Sequence, residues 1–570
     1  AALPLCRPGA TLSLWSVPPA PRGAWHLLDG AAIHRLSPPV EGTLILDGPP
    51  PPGALLLPPG TAAEPLAFDP VTPGLATLRG FLAGAFGRGP QPPHRALHAL
   101  GRRALAEPNA AALLREAQLL VPAAPSRATD PVAPVGAAVE LALSDQGGGL
   151  FLRGWVRDPL RLVAGLELRS SLARRDVPAG ALHRVTRPDL AEAFARTAFG
   201  GGAPQPGFIA HLPQADHPAV AQWRLALRLT SGEALELTAP PAQLRPAAAR
   251  DLVLQAVPPA ALRPGLLEDC IAPAAARLHR AALAGAGPAE VIRIGEPPRR
   301  PRAAIIVPLY RNLRFLRFQV PAFARDETLR GTTELVYVLD SPEQRGEVEH
   351  MLRGQAALHG IPAVTLVVLP ENRGYASACN AGAAATAAPV LAMLNSDVVP
   401  AARGWLDLLL RRLARDRRLA AVGPKLLFED GCIQHAGLLF RRGDDGHWLN
   451  DHFYKGFPRH YPAACLARRV PGVTGAAMVV RRAAFLAAGG FNTDYIVGDF
   501  EDSDLCLALR AAGHEIGYEP AAELYHFERQ SIGTHAGHAR TLAGAYNRLL
   551  QHRRWDAPIA ALMARFPDAA

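Results

Sequence analysis

The residues best equipped for chemistry gather in the second half of the chain. Tyr310 follows the apolar run Ala303-Ala-Ile-Ile-Val-Pro-Leu, Asp340 follows Glu334-Leu-Val-Tyr-Val-Leu, and Asn395-Ser396-Asp397 follows Val390-Leu-Ala-Met-Leu. A fourth polar group, Glu371-Asn-Arg-Gly, comes after Val364-Thr-Leu-Val-Val-Leu-Pro. Beyond these lie an acidic cluster, Glu501-Asp502-Ser-Asp504, and a histidine, His526, within Tyr-His-Phe-Glu. Taken singly, each has an ordinary structural reading. Asp397 reads as a turn or helix cap, the acidic cluster as a complement to a helix dipole, and His526 as a packed histidine. Together they can do more, because a carboxylate within hydrogen-bond reach of a hydroxyl can take its proton as that hydroxyl attacks.

The elements that position these groups can be read from the same runs. Apolar, β-branched stretches separated by helical spacing imply parallel strands buried on both faces. In such open sheets a ligand binds beyond the carboxyl ends of the strands, where Tyr310, Asp340, Glu371 to Gly374 and Asn395 to Asp397 fall; a nucleotide would sit there. Leu505, Leu507, Ala508 and Ala511 follow the acidic cluster at helical spacing, so that cluster opens a helix.

The order of motifs is distinctive: Ile306-Val-Pro-Leu-Tyr, Val338-Leu-Asp, Glu371-Asn-Arg-Gly-Tyr-Ala-Ser-Ala-Cys-Asn-Ala-Gly, Leu394-Asn-Ser-Asp, Val473-Thr-Gly-Ala-Ala, Gly489-Gly-Phe, Phe500-Glu-Asp-Ser-Asp-Leu-Cys-Leu and Leu524-Tyr-His-Phe-Glu. Over residues 301–545 it resembles the family-2 glycosyltransferases, particularly bacterial members of the rhamnosyl- and galactofuranosyl-transferring kind. The resemblance implies an α/β catalytic domain with the GT-A fold, a Rossmann-like nucleotide-diphospho-sugar transferase, closed by a C-terminal helix over 546–570. It implies an inverting, metal-dependent transfer of a sugar from a nucleoside-diphosphate sugar to a hydroxyl of a growing glycan or glycolipid, in surface polysaccharide assembly.

Roles follow from the same resemblance. Asp397 and His526 would hold Mn2+ or Mg2+, a set of oxygen and nitrogen ligands unlike a closed zinc site. Asn395 stands where relatives often have an aspartate and brings only a neutral oxygen. Asp502 would be the base, with Glu501 and Asp504 as neighbours that position acceptor or helix. Pro308, Tyr310, Asp340, Arg373, Gly374, Asn380, Asn395 and Ser396 would line the nucleotide and diphosphate site, with Gly475 and Ala476 walling the donor sugar. Relatives continue the aspartate of the second strand with Asn and Ser, whereas this chain has Ser341-Pro342-Glu343.

Two other readings compete. A nucleotidyltransferase that makes sugar nucleotides would want a glycine- and lysine- or arginine-rich loop directly after the first strand, and Val-Pro-Leu-Tyr-Arg-Asn stands there. A catalytically degenerate nucleotide- or glycan-binding module is motivated by Asn395 and the altered neighbourhood of Asp340, and opposed by the presence of Asp397, Asp502 and His526 together.

The 570 residues exceed one small domain, and 49% hydrophobic against 19% charged residues is ordinary globular usage. Most of the 56 prolines precede residue 300, which predicts short strands and loops in front and long regular elements behind. A mixed α/β region of unknown role is expected over 1–125, with Leu97, Leu100, Leu105, Leu113 and Leu114 as helical core positions. A β-sandwich is expected over 136–246, loosely similar to the accessory domains that precede some large bacterial glycosyltransferases, with Trp155 either a core aromatic or part of a glycan-binding face. A mainly helical connector is expected over 247–300.

Six scattered cysteines without a Cys-x-x-Cys pair argue against a disulfide scaffold or structural zinc. The net charge of +10 is spread over both halves, and no nucleic-acid module stands out, so no nucleic acid is expected as a partner. Arg411, Arg412, Arg415, Arg417 and Arg418 read first as a solvated helix face and second as attraction to an anionic membrane surface or a polyanionic glycan. No signal-peptide pattern or spanning apolar run is seen, so the expected location is cytoplasmic, with peripheral contact at the inner face of the membrane left open. Donor sugar, nucleoside, acceptor, linkage, choice of metal and oligomeric state are not encoded in such motifs.

Overall fold

The computed structural model describes residues 2–68 and 127–566 apart from short gaps, the largest at 198–204, 214–222 and 528–540, and only scattered positions between 69 and 126. Two compact units result, residues 1–256 with 263–278, and residues 257–262 with 279–570.

In the first unit, residues up to 68 form two small antiparallel sheets, one of three strands and one of four, around Trp15, Trp25, Leu44 and Leu56. Of the expected helical positions there, Leu100 and Leu114 are buried, while Leu97, Leu105 and Leu113 lie outside the described residues. The next segment is a sandwich of a five-stranded and a four-stranded antiparallel sheet. Alternation puts Val139, Leu152 and Phe208 of one sheet and Leu166, Leu225 and Leu227 of the other into a single core. Trp155 points to the other face, where Phe194 of the helix Pro188–Phe194 covers it edge-on at 5.7 Å. At 4% exposure it is a packed aromatic and offers no glycan-binding face.

The second unit carries an eleven-stranded mixed sheet. Its elements are β1 (Glu290–Gly295), β2 (Ala303–Leu309), α1 (Leu316–Arg325), β3 (Thr333–Leu339), α2 (Arg345–His359), β4 (Ala363–Val368), α3 (Tyr375–Ala384), β5 (Val390–Leu394), β6 (Val398–Pro400), α4 (Trp405–Arg415), β7 (Leu419–Leu427), β8 (Ile433–His435), β9 (Leu438–Arg442), β10 (Trp448–His452), β11 (Ala477–Arg481), α5 (Arg482–Ala487), α6 (Glu501–Ala511), β12 (Glu515–His526) and α7 (Ala543–Met563). The main path across the sheet runs β1-β4-β3-β2-β5-β11-β7-β12-β6. Strands β4, β3, β2 and β5 are parallel neighbours, so the chain winds outward from β2 to β4 and then crosses back to the other side of β2. That reversal opens a crevice at the carboxyl ends of the strands, where Tyr310, Asp340 and Asn395 emerge. Helices cover both faces, one core gathering Val307, Tyr337, Leu366 and Leu409, the other Ile306, Val338, Cys379 and Leu505.

One expectation needs correction. The connector is helical only to Gly285, since Glu290–Gly295 pairs antiparallel with β4 as an edge strand of the large sheet. Its outward side is exposed, which weakens its apolar signal. Strand β12 runs for twelve residues and ends on His526 itself.

Candidate active site

The first wall of the crevice is the turn after β4. Asp340 is 4% exposed, and its two carboxylate oxygens accept the backbone N–H groups of Arg373 at 2.7 Å and Gly374 at 2.9 Å. Burial pushes its carboxyl up to about 7, against the pull of those two bonds. Gly374 has φ +82°, and a Cβ there would lie 3.1 Å from the carbonyl oxygen of Val497, so both conformation and space call for glycine. Pro308 ends β2 beside Tyr310, and the Arg311 guanidinium lies over the Tyr310 ring.

Asn380 requires a correction. Its amide oxygen accepts the Phe491 N–H at 2.9 Å and its amide nitrogen donates to the Phe491 carbonyl at 2.8 Å. It braces the Gly489-Gly490-Phe491 turn rather than facing a nucleotide.

The second wall is the Asn395-Ser396-Asp397 turn between β5 and β6. Strand β6 pairs antiparallel with the end of β12, with Val398 opposite His526. This pairing brings Asp397 beside His526, the carboxylate Oδ1 lying 3.4 Å from the imidazole Nε2. The other ring nitrogen is fixed by Gln434 on β8. Its amide nitrogen donates to the His526 carbonyl at 3.3 Å, so its amide oxygen faces Nδ1 at 2.7 Å and Nδ1 carries the proton. Nε2 is left as the ring nitrogen that faces the carboxylate. The side-chain oxygen of Asn395 is buried without a hydrogen-bond partner. A carboxylate and an imidazole nitrogen 3.4 Å apart are donors of the kind that Mn2+ or Mg2+ accepts, so the Asp397–His526 pair fits such a cation.

The third wall is the start of α6. Asp502 accepts the N–H of Gly475 at 2.9 Å and of Ser503 at 2.7 Å. Burial raises its carboxyl above the usual range, those bonds lower it, and the nearby Asp499 raises it. Glu501 is raised well above the usual range, first by burial and then by the charge of Asp502. One oxygen of Glu501 is buried without a partner. Gly475 and Ala476 link the three walls: the Tyr375 hydroxyl donates to the Gly475 carbonyl at 2.7 Å, and the Asn395 N–H donates to the Ala476 carbonyl at 2.9 Å. Asp504 faces away into a buried set of donors, Trp555 Nε1 at 2.7 Å, Arg554 Nε at 2.8 Å and the Tyr495 hydroxyl at 3.0 Å. It secures α7 to α6 and is not exposed to an acceptor.

The turn into α6 is strained. Val497, Asp499 and Phe500 have φ of 70°, 80° and 76°. Left-handed conformations cost non-glycine residues about 1–3 kcal/mol each and survive only where the surroundings hold them.

Several contributors were not visible as site residues in the sequence. Gln319 is fully buried and donates to the carbonyls of Asn395 and Val398, holding the Asn-Ser-Asp turn. Gln434 and His435 are polar residues inside the apolar stretch Ile433 to Phe440, an available signal. His435 is buried beside His452, their Nδ1 atoms 2.6 Å apart, and burial drives its pKa well down. The histidine- and aromatic-rich stretch after Gly443 supplies β10, whose Asn450 reaches the Ser503 hydroxyl at 3.1 Å, and a ring cluster of Tyr454, Phe457 and Tyr461.

Residues 301–555 match the family described as Glycosyltransferase like family 2. An uncharacterised protein of Sinorhizobium fredii is 33% identical over 242 residues, which is 41% of this chain and 25% of that protein. The N-acetylglucosaminyl-diphospho-decaprenol L-rhamnosyltransferase of Mycobacterium tuberculosis is 30% identical over 202 residues, 31% of this chain and 64% of that protein. The chain thus spans less than two thirds of the length of these relatives. A mannosyltransferase of Pyrobaculum calidifontis, in complex with GDP-Man and Mn2+, aligns with 20% identity and a TM-score of 0.31 over 49% of this chain and 83% of that one.

Proposed function

Taking as premise that residues 301–555 are a family-2 glycosyltransferase domain of GT-A fold, we propose that the chain is an inverting, metal-dependent glycosyltransferase. It moves a sugar from a nucleoside-diphosphate sugar to a hydroxyl of a growing glycan or glycolipid. The observation that supports this most is the Gly475-Ala476 segment, which hydrogen-bonds the carboxylate of Asp502 through one residue and the Asn395-Ser396-Asp397 turn through the other.

In this reading Asp502 accepts the proton of the acceptor hydroxyl as its oxygen bonds to the anomeric carbon, and the diphosphate leaves from the opposite face. One in-line displacement inverts the configuration. Asp397, His526 and the amide oxygen of Asn395 would hold Mn2+ or Mg2+, which when bound offsets the charge that builds on the departing diphosphate. The Gly374 turn, pinned by Asp340, opens α3, whose N-terminal dipole end would favour a phosphate.

Surface polysaccharide assembly at the cytoplasmic side of a membrane is the setting we propose. The rhamnosyltransferase relative, by its name, acts on a lipid-linked acceptor, and Arg411, Arg415, Arg417 and Arg418 form an exposed basic face at the end of α4. Among the described residues no helix is long and apolar enough to cross a membrane. Incubation with UDP-, GDP- and dTDP-sugars, Mn2+ and lipid-linked or oligosaccharide acceptors tests the proposal. Transfer with inverted anomeric configuration, absent in Asp502→Asn, is the expected result; donor binding without transfer to any acceptor would favour the degenerate-module reading that Asn395 motivates.

A further inference from the structure

We propose that Asn547, on α7, is a positioning residue that holds the strained turn carrying the catalytic helix. The inference rests on the reading of Asp502 as the base. Asn547 is fully buried in the second turn of the helix and spends its side chain on one target. Its amide oxygen accepts the Ile496 N–H at 2.9 Å, and its amide nitrogen donates to the carbonyls of Ile496 at 3.0 Å and Gly498 at 2.6 Å.

Those bonds grip the entrance to the segment where Val497, Asp499 and Phe500 all have positive φ. A β-branched residue at positive φ is an outlier that relaxes unless held. The same turn is held from the other side by the Tyr375 N–H, which donates to the Val497 carbonyl at 3.2 Å. Gln551, one turn further along α7 and also fully buried, lies 2.8 Å from the Ser503 hydroxyl, which itself is 2.9 Å from the Phe500 carbonyl. Two buried amides of one helix thus fix the backbone from 496 to 503, and Asp502 can reach the Gly475 N–H only while that backbone keeps its path. Relaxed to negative φ, the turn would swing the start of α6 away from Gly475. A misplacement of about 1 Å at a reacting group costs on the order of a hundredfold in rate.

The test compares Asn547→Ala with Ile559→Ala, a control on the same helix that packs against Leu438, Phe440 and Leu507 and touches no part of the turn. In Asn547→Ala, amide hydrogen exchange over 496–504 should quicken by about tenfold or more, as expected for local opening. Its kcat should fall by at least about tenfold, while KM for the donor stays within about threefold because Asp340 still holds the Gly374 turn. Adding Val497→Gly to Asn547→Ala should restore much of kcat, since glycine takes positive φ without strain. A helix that was merely structural would show no such rescue.

The proposal is overturned if exchange over 496–504 is unchanged, if kcat falls no further than in Ile559→Ala at equal loss of Tm, or if Val497→Gly restores nothing. Should the wild-type chain transfer no sugar, the activity reading falls on its own, and the exchange comparison still decides whether Asn547 holds the turn.

Discussion

The N–H of Gly475 donates a 2.9 Å hydrogen bond to the Asp502 carboxylate, tying the proposed donor-sugar wall to the proposed base. A Cβ there would lie 3.0 Å from the Tyr375 hydroxyl and 3.3 Å from the Asp502 Cβ, so a larger residue would press on both. Asp502→Asn keeps the size of the side chain and removes its basicity. Transfer should fall by about 10²–10⁴-fold, the usual contribution of general base catalysis. Nucleotide affinity, measured by titration calorimetry, should stay near wild type.

The pH profile follows from the same carboxylate. Burial raises its pKa and Asp499 adds to that, so the acid limb of kcat should lie above the ordinary aspartate value of about 3.9. The base acts ionised, and the rate therefore climbs as pH rises through the raised value. Asp499→Asn removes the like charge and suits a φ of 80°, since asparagine tolerates the left-handed region. Its limb should move to lower pH with the plateau unchanged. Asp340, pushed up to about 7 by burial, acts on stability in the opposite direction. The folded chain binds that proton more tightly than the unfolded one, so stability is lost as pH rises between the ordinary and the raised value. Denaturant melts at pH 5 and pH 8 should show a smaller difference in Asp340→Asn than in wild type.

Asp504 sits beside Asp502 in sequence but serves the fold. Arg554→Met removes one of its three side-chain donors while Trp555 and Tyr495 remain. A hydrogen bond to a charged group contributes about 1.5–3 kcal/mol, so a urea melt should show a loss near the lower end of that range, given that Arg554 is half exposed.

At Gly374 an added methyl group meets both a φ of +82° and the Val497 carbonyl. Gly374→Ala should weaken nucleotide binding by about tenfold, from the roughly 1–2 kcal/mol a non-glycine residue loses in the left-handed region. Thermal stability should change by only a few degrees, because the turn borders the crevice rather than the core.

Much of the catalytic domain was legible because buried parallel strands such as Ile305 to Leu309 and Leu335 to Leu339 advertise themselves as apolar runs, with polar residues placed at their ends. Asp397, Asp502 and His526 could be picked out by the order of motifs. What stayed hidden is long-range. Nothing local says that β6 lies opposite His526, that Gln434 sets the tautomer of that ring, or that Asn547 reaches back to Ile496. Asn380 was misread because a polar residue near a glycine loop looks the same whether it faces a ligand or braces a neighbouring turn. Glu290–Gly295 was hidden by its exposed edge position, which leaves few apolar residues to mark it.

The central claim is that Asp397 and His526, 3.4 Å apart, share a divalent cation that the donor diphosphate also needs. Titration of the purified chain with UDP, GDP and dTDP, each with and without Mn2+, and of Asp397→Ala in parallel, tests it directly. One nucleotide should bind in a Mn2+-dependent manner and lose that dependence in Asp397→Ala. Binding equally tight without metal, or unaltered in the variant, would contradict it.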